Sequence, residues 1–386
     1  MKLSTRLSSI TPSLTLQITA KAKELQAKGE DVVSFGAGEP DFDTPDYIKQ
    51  AAIDALKRGM TKYTVESGII ELKNAIVEKF KNENNIEYVA NQVIVSCGAK
   101  HSLFNTFQAI VNEGDEVIIP MPFWLSYPEM VKCAGGVPVY LETTAENGFK
   151  LQIEDLKKAI TPRTKALVIN SPSNPTGGVY EASELMEIAN VVKNYNIFVV
   201  SDEIYEKLIY DNLEFTSIAS LDEEIKKRTI TVNGLSKAYS MTGWRLGYLA
   251  CDANLAKMIA AYQSHSTSNP TSFAQYGAVA ALTNKDTSEI EKMRAAFERR
   301  RNLMYDLIGK IKNISAFKPK GAFYMFCDIS RTGMTAMEFS SKLLSEAKVA
   351  VIPGESFGSA KHIRLSFAIS DDTIKKGIAR IKDWLK

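Results

Sequence analysis

Nowhere in its 386 residues does this sequence carry an apolar run of the ~18 residues that a membrane helix needs, and its start has no signal-peptide h-region. It also lacks an excess of either charge. With 47 Lys+Arg against 45 Asp+Glu the net charge is +2, which gives no electrostatic case for binding nucleic acid or an anionic membrane. Cysteine is scarce. Cys97, Cys133, Cys251 and Cys327 are scattered with no CxxC spacing, so neither a disulfide framework nor a thiolate metal site is expected; they read as reduced, mostly buried thiols. No metal is expected, and there is no internal repeat or low-complexity segment. These absences together predict a soluble, cytoplasmic protein.

What is present is an ordinary globular composition, 45% apolar and 24% charged, in a chain longer than the ~250–300 residues one core usually serves. Two domains are expected. Residues 1–15 read as an arm, and Ile18, Ala22 and Leu25 at helical spacing predict a helix from Leu16 to Lys28, with Gly29 as its stop. Val32–Phe35 reads as a short strand. Thr44 reads as an N-cap before Pro45, and Ile48, Ala52 and Leu56 as the buried face of the helix that follows. Leu72, Ile76 and Phe80 mark another helix.

A β/α rhythm then sets in. Strands are predicted at Val93–Ser96, Glu116–Pro120, Val137–Leu141, Ala166–Asn170, Ile197–Ser201, Thr229–Asn233 and Leu246–Cys251. Their short, nearly all-apolar character is that of strands covered on both faces, and helical patterns such as Leu185, Ile188 and Val192 lie between them. This is an α/β domain with a mostly parallel seven-stranded sheet. After Asn284 the pattern changes to a long amphipathic helix (Ile290, Met293, Phe297, Met304, Ile308), short strands near Val349–Ile352 and His362–Phe367, and a final helix. The expected organisation is an N-terminal arm and part of a small domain over 1–45, a large domain over 46–284, and an α+β small domain over 285–386.

The chain is organised around GLSKAYSMTGWRLG, Gly234 to Gly247. Lys237 stands just past the carboxyl end of a buried strand, on the side where open α/β sheets bind ligands. Arg245, eight residues on, offers a planar fork of donors suited to phosphate. An amine that can condense with an aldehyde, beside such an arginine, is what pyridoxal phosphate (PLP) requires. A solvated lysine and a structural arginine are the plain alternative.

Other strand ends add to this. Ser96–Lys100 turns from a strand into a helix whose free N–H groups suit a phosphate. Asp202 follows a strand directly, as an N-cap or as a countercharge for a pyridinium nitrogen. Tyr205, three residues on, is within reach of the same ring. Asn174 lies in NSPSNPTGG, where Asn-Pro is a candidate cis bond. Trp124 is either core filler or a platform for a flat ring. Arg364 is a cation on an apolar strand, so a carboxylate partner is implied, internal or from a ligand.

The segments GEPDFDTP, TKY, GAK, PFWLSYPEM, NSPSNPTG, SDEIYE, GLSKAYSMTGWR and HIRLS together resemble the fold-type-I, PLP-dependent class I aminotransferases, most closely the bacterial aspartate aminotransferases, over essentially the whole chain. The resemblance implies that Lys237 is the Schiff-base lysine. It implies that Asp202 pairs the pyridine nitrogen, that Tyr205 and Asn174 hold the 3-hydroxyl, and that Trp124 stacks on the ring. Arg245, with Gly98, Ala99 and Lys100 at the helix start, would hold the phosphate, joined by Tyr63 from the partner of a homodimer. Arg364 would grip the substrate α-carboxylate, with Gly38 alongside, and Trp124 and Asn174 would also face the substrate. Two positions depart from relatives. Gly234 stands where many have a hydroxyl residue, and Thr11 stands where relatives that also act on prephenate can carry a lysine.

The implied activity is transfer of an amino group from aspartate or glutamate to 2-oxoglutarate or oxaloacetate. SHSTSNPTS, Ser264 to Ser272, lacks the arginine that some relatives use for the distal carboxylate, which leaves Lys100 as the second cation. An aminotransferase for aromatic or neutral amino acids and a PLP carbon–sulfur β-lyase are the alternatives. A PLP-sensing regulator would need a DNA-binding extension and a basic face, and the sequence has neither.

Overall fold

The computed structural model describes residues 8, 10–12 and 14–386. The rest of the expected 1–15 arm, residues 1–7, 9 and 13, lies outside the described residues.

Thirteen strands are assigned among the described residues. They are β1 (Val33–Ser34), β2 (Val93–Ser96), β3 (Glu116–Met121), β4 (Val137–Glu142), β5 (Thr164–Asn170), β6 (Phe198–Asp202), β7 (Thr229–Gly234), β8 (Gly247–Ala250), β9 (Ser315–Ala316), β10 (Tyr324–Asp328), β11 (Val349–Ala350), β12 (Ile352–Pro353) and β13 (His362–Ser366). Seven form one sheet in the order β2-β8-β7-β6-β5-β3-β4. All run parallel except β8, which is antiparallel to both its neighbours. Helices pack on both faces, and the strand interiors are accordingly apolar: Val117, Ile118, Leu167, Val199 and Ile230 are all fully buried.

The register aligns the strand ends. Asn170 lies opposite Asp202, and Gly247 lies between Ser96 and Gly234. The chemistry-bearing turns therefore leave the sheet along one edge, the carboxyl edge of its parallel strands.

A smaller α+β unit carries the antiparallel sheet β12-β13-β10-β9. The helices Ser288–Ile308, Ala336–Ala347 and Asp371–Trp384 accompany it. The beginning of the chain is built into this unit, because β1 pairs in parallel with β11, Val33 against Val349. Phe35 enters the same core as Phe297, Phe323, Phe339 and Leu365, and its ring lies where a side chain on Gly377 would have to go. Arg300 grips Asp41 with both terminal nitrogens at 2.7 and 3.0 Å, which fastens the 36–45 loop to the long helix.

Several local expectations change. Thr44 is not the cap: Pro45 occupies the N-cap position without a side-chain hydrogen bond, and the helix runs Asp46–Lys57. The Thr44 hydroxyl instead donates to Ser240 O and accepts from the Trp244 indole. Leu56 is 45% exposed, and Ala55 takes its place beside Ile48 and Ala52 on the buried face. Strand β4 is the sheet edge and is partly solvated, so it is not covered on both faces. The helix expected from Leu16 begins at Leu14. Of the four cysteines, none in a disulfide, Cys251 and Cys327 are buried while Cys97 and Cys133 are half-buried.

Candidate active site

Strand β7 ends at Gly234, and the tight turn after it brings Lys237 to the sheet edge. Gly234 packs tightly there: a Cβ would lie 3.0 Å from Gly247 Cα and 3.2 Å from Leu246 O. Lys237 Nζ donates to Gly38 O at 2.6 Å and lies 5.9 Å from the centre of the Phe323 ring. Burial pulls this amine from the ordinary 10.5 down to about 8, with Arg245 and Arg364 acting in the same direction and Glu39 and Asp202 opposing them.

At one end of the cavity Gly98, at φ 96°, precedes the helix Ala99–Ile110. Arg245 closes over it, donating to Thr242 O at 2.8 Å and Cys97 O at 3.3 Å. A Cβ on residue 98 would stand 2.5 Å from the Arg245 guanidinium, so glycine is what admits the arginine. Among the described residues nothing accepts a hydrogen bond from the Ala99 or Lys100 amide. Two free N–H groups at a helix start and a guanidinium thus converge on one spot. Lys100 reaches back over Trp124, its Nζ 4.8 Å from the ring centre.

Deeper in, Asp202 is the last residue of β6 and is 4% exposed. Turns rather than a helix follow it, so it caps no helix. One carboxylate oxygen accepts from the Tyr127 hydroxyl at 2.6 Å, the other from the Ile204 amide at 3.3 Å. Burial raises its carboxyl to about 6, while the Tyr127 and Ile204 hydrogen bonds and the Lys237 charge restrain the rise. Tyr205 shares a 3.0 Å hydrogen bond with the Tyr324 hydroxyl. Half-exposed Trp124 lines the cavity and meets Tyr127 edge-on, so it is more than core filler.

Arg364, on β13, is 2% exposed. It donates to Asn174 Oδ1 at 3.0 Å and Gly36 O at 3.4 Å, and its guanidinium lies 4.2 Å from the centre of Tyr324 and 5.0 Å from that of Phe357. Asn174–Pro175 is cis. Among the described residues no Asp or Glu pairs with Arg364, and its Nε has no partner. The internal-acid alternative is therefore set aside. A buried, uncompensated guanidinium facing a cavity is a seat for an external carboxylate.

These groups line one cavity of about 360 Å³. It brings together Gly38, Ala99, Lys100, Trp124 and Asn174 with Asp202, Tyr205, Lys237, Arg245 and Arg364. Gly98 abuts it through Arg245. Tyr63 does not join them: its side chain is 91% exposed, away from this chain's own cavity. Tyr127 and Tyr324, which set the surroundings of Asp202, Tyr205 and Arg364, are missed by the sequence reading. Tyr127 lies inside the quoted PFWLSYPEM segment, but nothing in the sequence tells which acid its hydroxyl meets.

The profile of the family described as "Aminotransferase class I and II" matches residues 30–381. The chain is similar to the aspartate aminotransferase of Bacillus sp. (strain YM-2), 52% identical over 389 residues, covering 100% of this chain and 99% of the relative. It is 51% identical to the probable aspartate/prephenate aminotransferase of Aquifex aeolicus, with 100% and 98% covered. Among solved structures it is similar to the aspartate aminotransferase of Thermus thermophilus with maleate, at TM-score 0.96 and 44% identity, covering 99% of each chain.

Proposed function

The chain belongs to the class I and II aminotransferases, and within this PLP-dependent family we propose that it moves the amino group of aspartate or glutamate to 2-oxoglutarate or oxaloacetate. The observation that carries the proposal is Arg364, a buried cation in the cavity wall that no Asp or Glu pairs with among the described residues.

The residues present fit the cofactor. Free amides at Ala99 and Lys100 beside Arg245 suit a phosphate, a lowered-pKa amine suits an aldehyde, and a buried carboxylate suits a ring nitrogen. When bound, PLP supplies the aldehyde that takes up amines and the ring that accepts electrons from a broken Cα–H bond. Lys237 would hold it by the ε-amine. The same amine would take up and hand on the proton of the substrate Cα, a positioned proton transfer of the kind worth ~10²–10⁴-fold. Asp202 would face the ring nitrogen and keep it protonated. Tyr205 and Asn174 would hold the 3-hydroxyl, and Trp124 would cover one ring face. Arg364 would fix the α-carboxylate next to Gly38, and the Lys100 ammonium would take the distal carboxylate of a dicarboxylic substrate.

The active form in this reading is a homodimer, with Tyr63 reaching the partner's phosphate. Its support is an apolar strip over residues 53–70: Tyr63 is 91% exposed, Val65 58%, Ile70 57% and Ile53 44%. Exposed apolar side chains this close together are the mark of a covered surface. The organisation that goes with it is a small unit that joins the described residues up to 45 with 285–386, and a large unit over 46–284. No helix among the described residues is long and apolar enough to cross a membrane, in keeping with a cytoplasmic enzyme.

A screen of amino donors against 2-oxoglutarate tests the reading, with prephenate as a further acceptor and S-alkylcysteine alone as a lyase substrate. Aspartate and glutamate should lead. Release of pyruvate and ammonia without an acceptor would replace the transaminase with a β-lyase.

A further inference from the structure

We propose that Tyr127 is the positioning residue for Asp202: its buried phenol fixes the carboxylate's orientation and keeps it ionised for the cofactor's ring nitrogen. The proposal rests on the reading above that Asp202 serves that nitrogen.

Tyr127 lies at the start of the helix Ser126–Cys133, just beyond β3, and is 1% exposed. A phenol this deeply buried needs a partner, and the one it has is Asp202 Oδ2 at 2.6 Å. That length belongs to a hydroxyl donating to a charged oxygen. The Ile204 amide holds the opposite oxygen at 3.3 Å, so the two donors together stop the carboxylate from rotating. The Tyr127 ring also meets Trp124 edge-on, with centroids 5.2 Å apart at 77°, and so props the second group expected to face the cofactor ring.

Three titratable groups face Asp202. They are Lys237 across the cavity, Tyr205 on the following turn, and Tyr127. Glu203, next in the chain, is turned away and accepts from Ser201 and Ser217. Among the described residues Tyr127 is the only side chain that donates to the Asp202 carboxylate. Burial pushes that carboxyl up, and the phenol is the largest influence holding it down. Without the phenol, Asp202 would carry a proton further into the neutral range, where it no longer acts as a countercharge.

The test follows the carboxyl ¹³C resonance of Asp202 in full-length protein before PLP is added, with Asp202→Asn identifying the signal. In Tyr127→Phe the midpoint should rise by about one pH unit or more. PLP affinity should then fall more at pH 6.5 than at pH 8.5. An unchanged midpoint, or an equal loss of affinity at both pH values, overturns the proposal. Site-specific 3-fluorotyrosine at position 127 keeps the shape and strengthens the donor, so the midpoint should move down. Failure of that opposite displacement overturns the proposal even where the phenylalanine variant does not fold. A wild type that binds no PLP while Asp202 titrates as expected sinks the functional reading instead, and the proposed purpose of Tyr127 with it.

Discussion

Arg364 Nη1 donates to Asn174 Oδ1 at 3.0 Å, joining a strand of the small unit to the turn after β5 across 190 residues of chain. The guanidinium's planar fork lets it keep this bond and still grip a carboxylate, which a lysine ammonium cannot do with the same geometry. Arg364→Lys should therefore lower kcat/KM for aspartate by about 10–100-fold, the loss of one charge-assisted hydrogen bond. PLP affinity should hardly change. Steady-state kinetics alongside a PLP titration separate the two, and a parallel loss of both would assign Arg364 to the cofactor.

Lys237 should be the most reactive lysine in the cofactor-free protein. A lysine is charged below its pKa, so a value of about 8 makes the amine available at neutral pH. At pH 7.5 roughly a quarter of such groups are neutral, against about a thousandth for an ordinary lysine. Reductive methylation with peptide mapping should tag Lys237 first, with labelling that levels off above pH 8. Labelling that keeps climbing to pH 10, as for surface lysines, would refute the lowered value. Lys237→Ala should have no transaminase turnover.

Lys100→Ser should depress kcat/KM for aspartate and glutamate by ~10-fold or more while leaving alanine nearly untouched, about one charged hydrogen bond. The ammonium rests over Trp124 at the mouth of the cavity, where a distal carboxylate could meet it. Equal losses for aspartate and alanine would move Lys100 to the cofactor's side of the account.

How much of this was legible beforehand can be argued residue by residue. The large-sheet strands other than the edge strand β4 stand out because a strand covered on both faces must be apolar along its length. Lys237 and Asp202 stand out because charged groups at the ends of such strands need a reason, and Arg364 because a cation within an apolar strand needs a partner. Leu56 misled because 48, 52, 55 and 48, 52, 56 both fit a helical face, and only packing chooses between them. Thr44 misled because its hydroxyl had a tertiary partner, Ser240, 196 residues away. Tyr127 stayed hidden for the same reason, since its acid lies 75 residues on.

Tyr63 gives a test of the dimer. Tyr63→Phe in a homodimer should weaken PLP binding, because the phosphate loses a donor. Mixing Tyr63→Phe chains with Lys237→Ala chains should produce hybrids in which one site pairs an intact Lys237 with an intact Tyr63, with its PLP affinity restored toward wild type. No restoration in the hybrids, or an active monomer in sedimentation, would contradict the shared site.

The pairing of β1 with β11 has a consequence for how the enzyme comes into being. Synthesis delivers Val33 and the Gly38 loop first, then the whole seven-stranded sheet with Lys237, and only much later Val349 and Arg364. During that interval the opening segment has no strand to join, and the amine at the sheet edge has no substrate clamp opposite it. Of the two proposed ligand seats, the one for the cofactor is therefore complete in chain order before the other. The proposed α-carboxylate seat waits for Arg364 in the tail, which joins the head through β1 and β11.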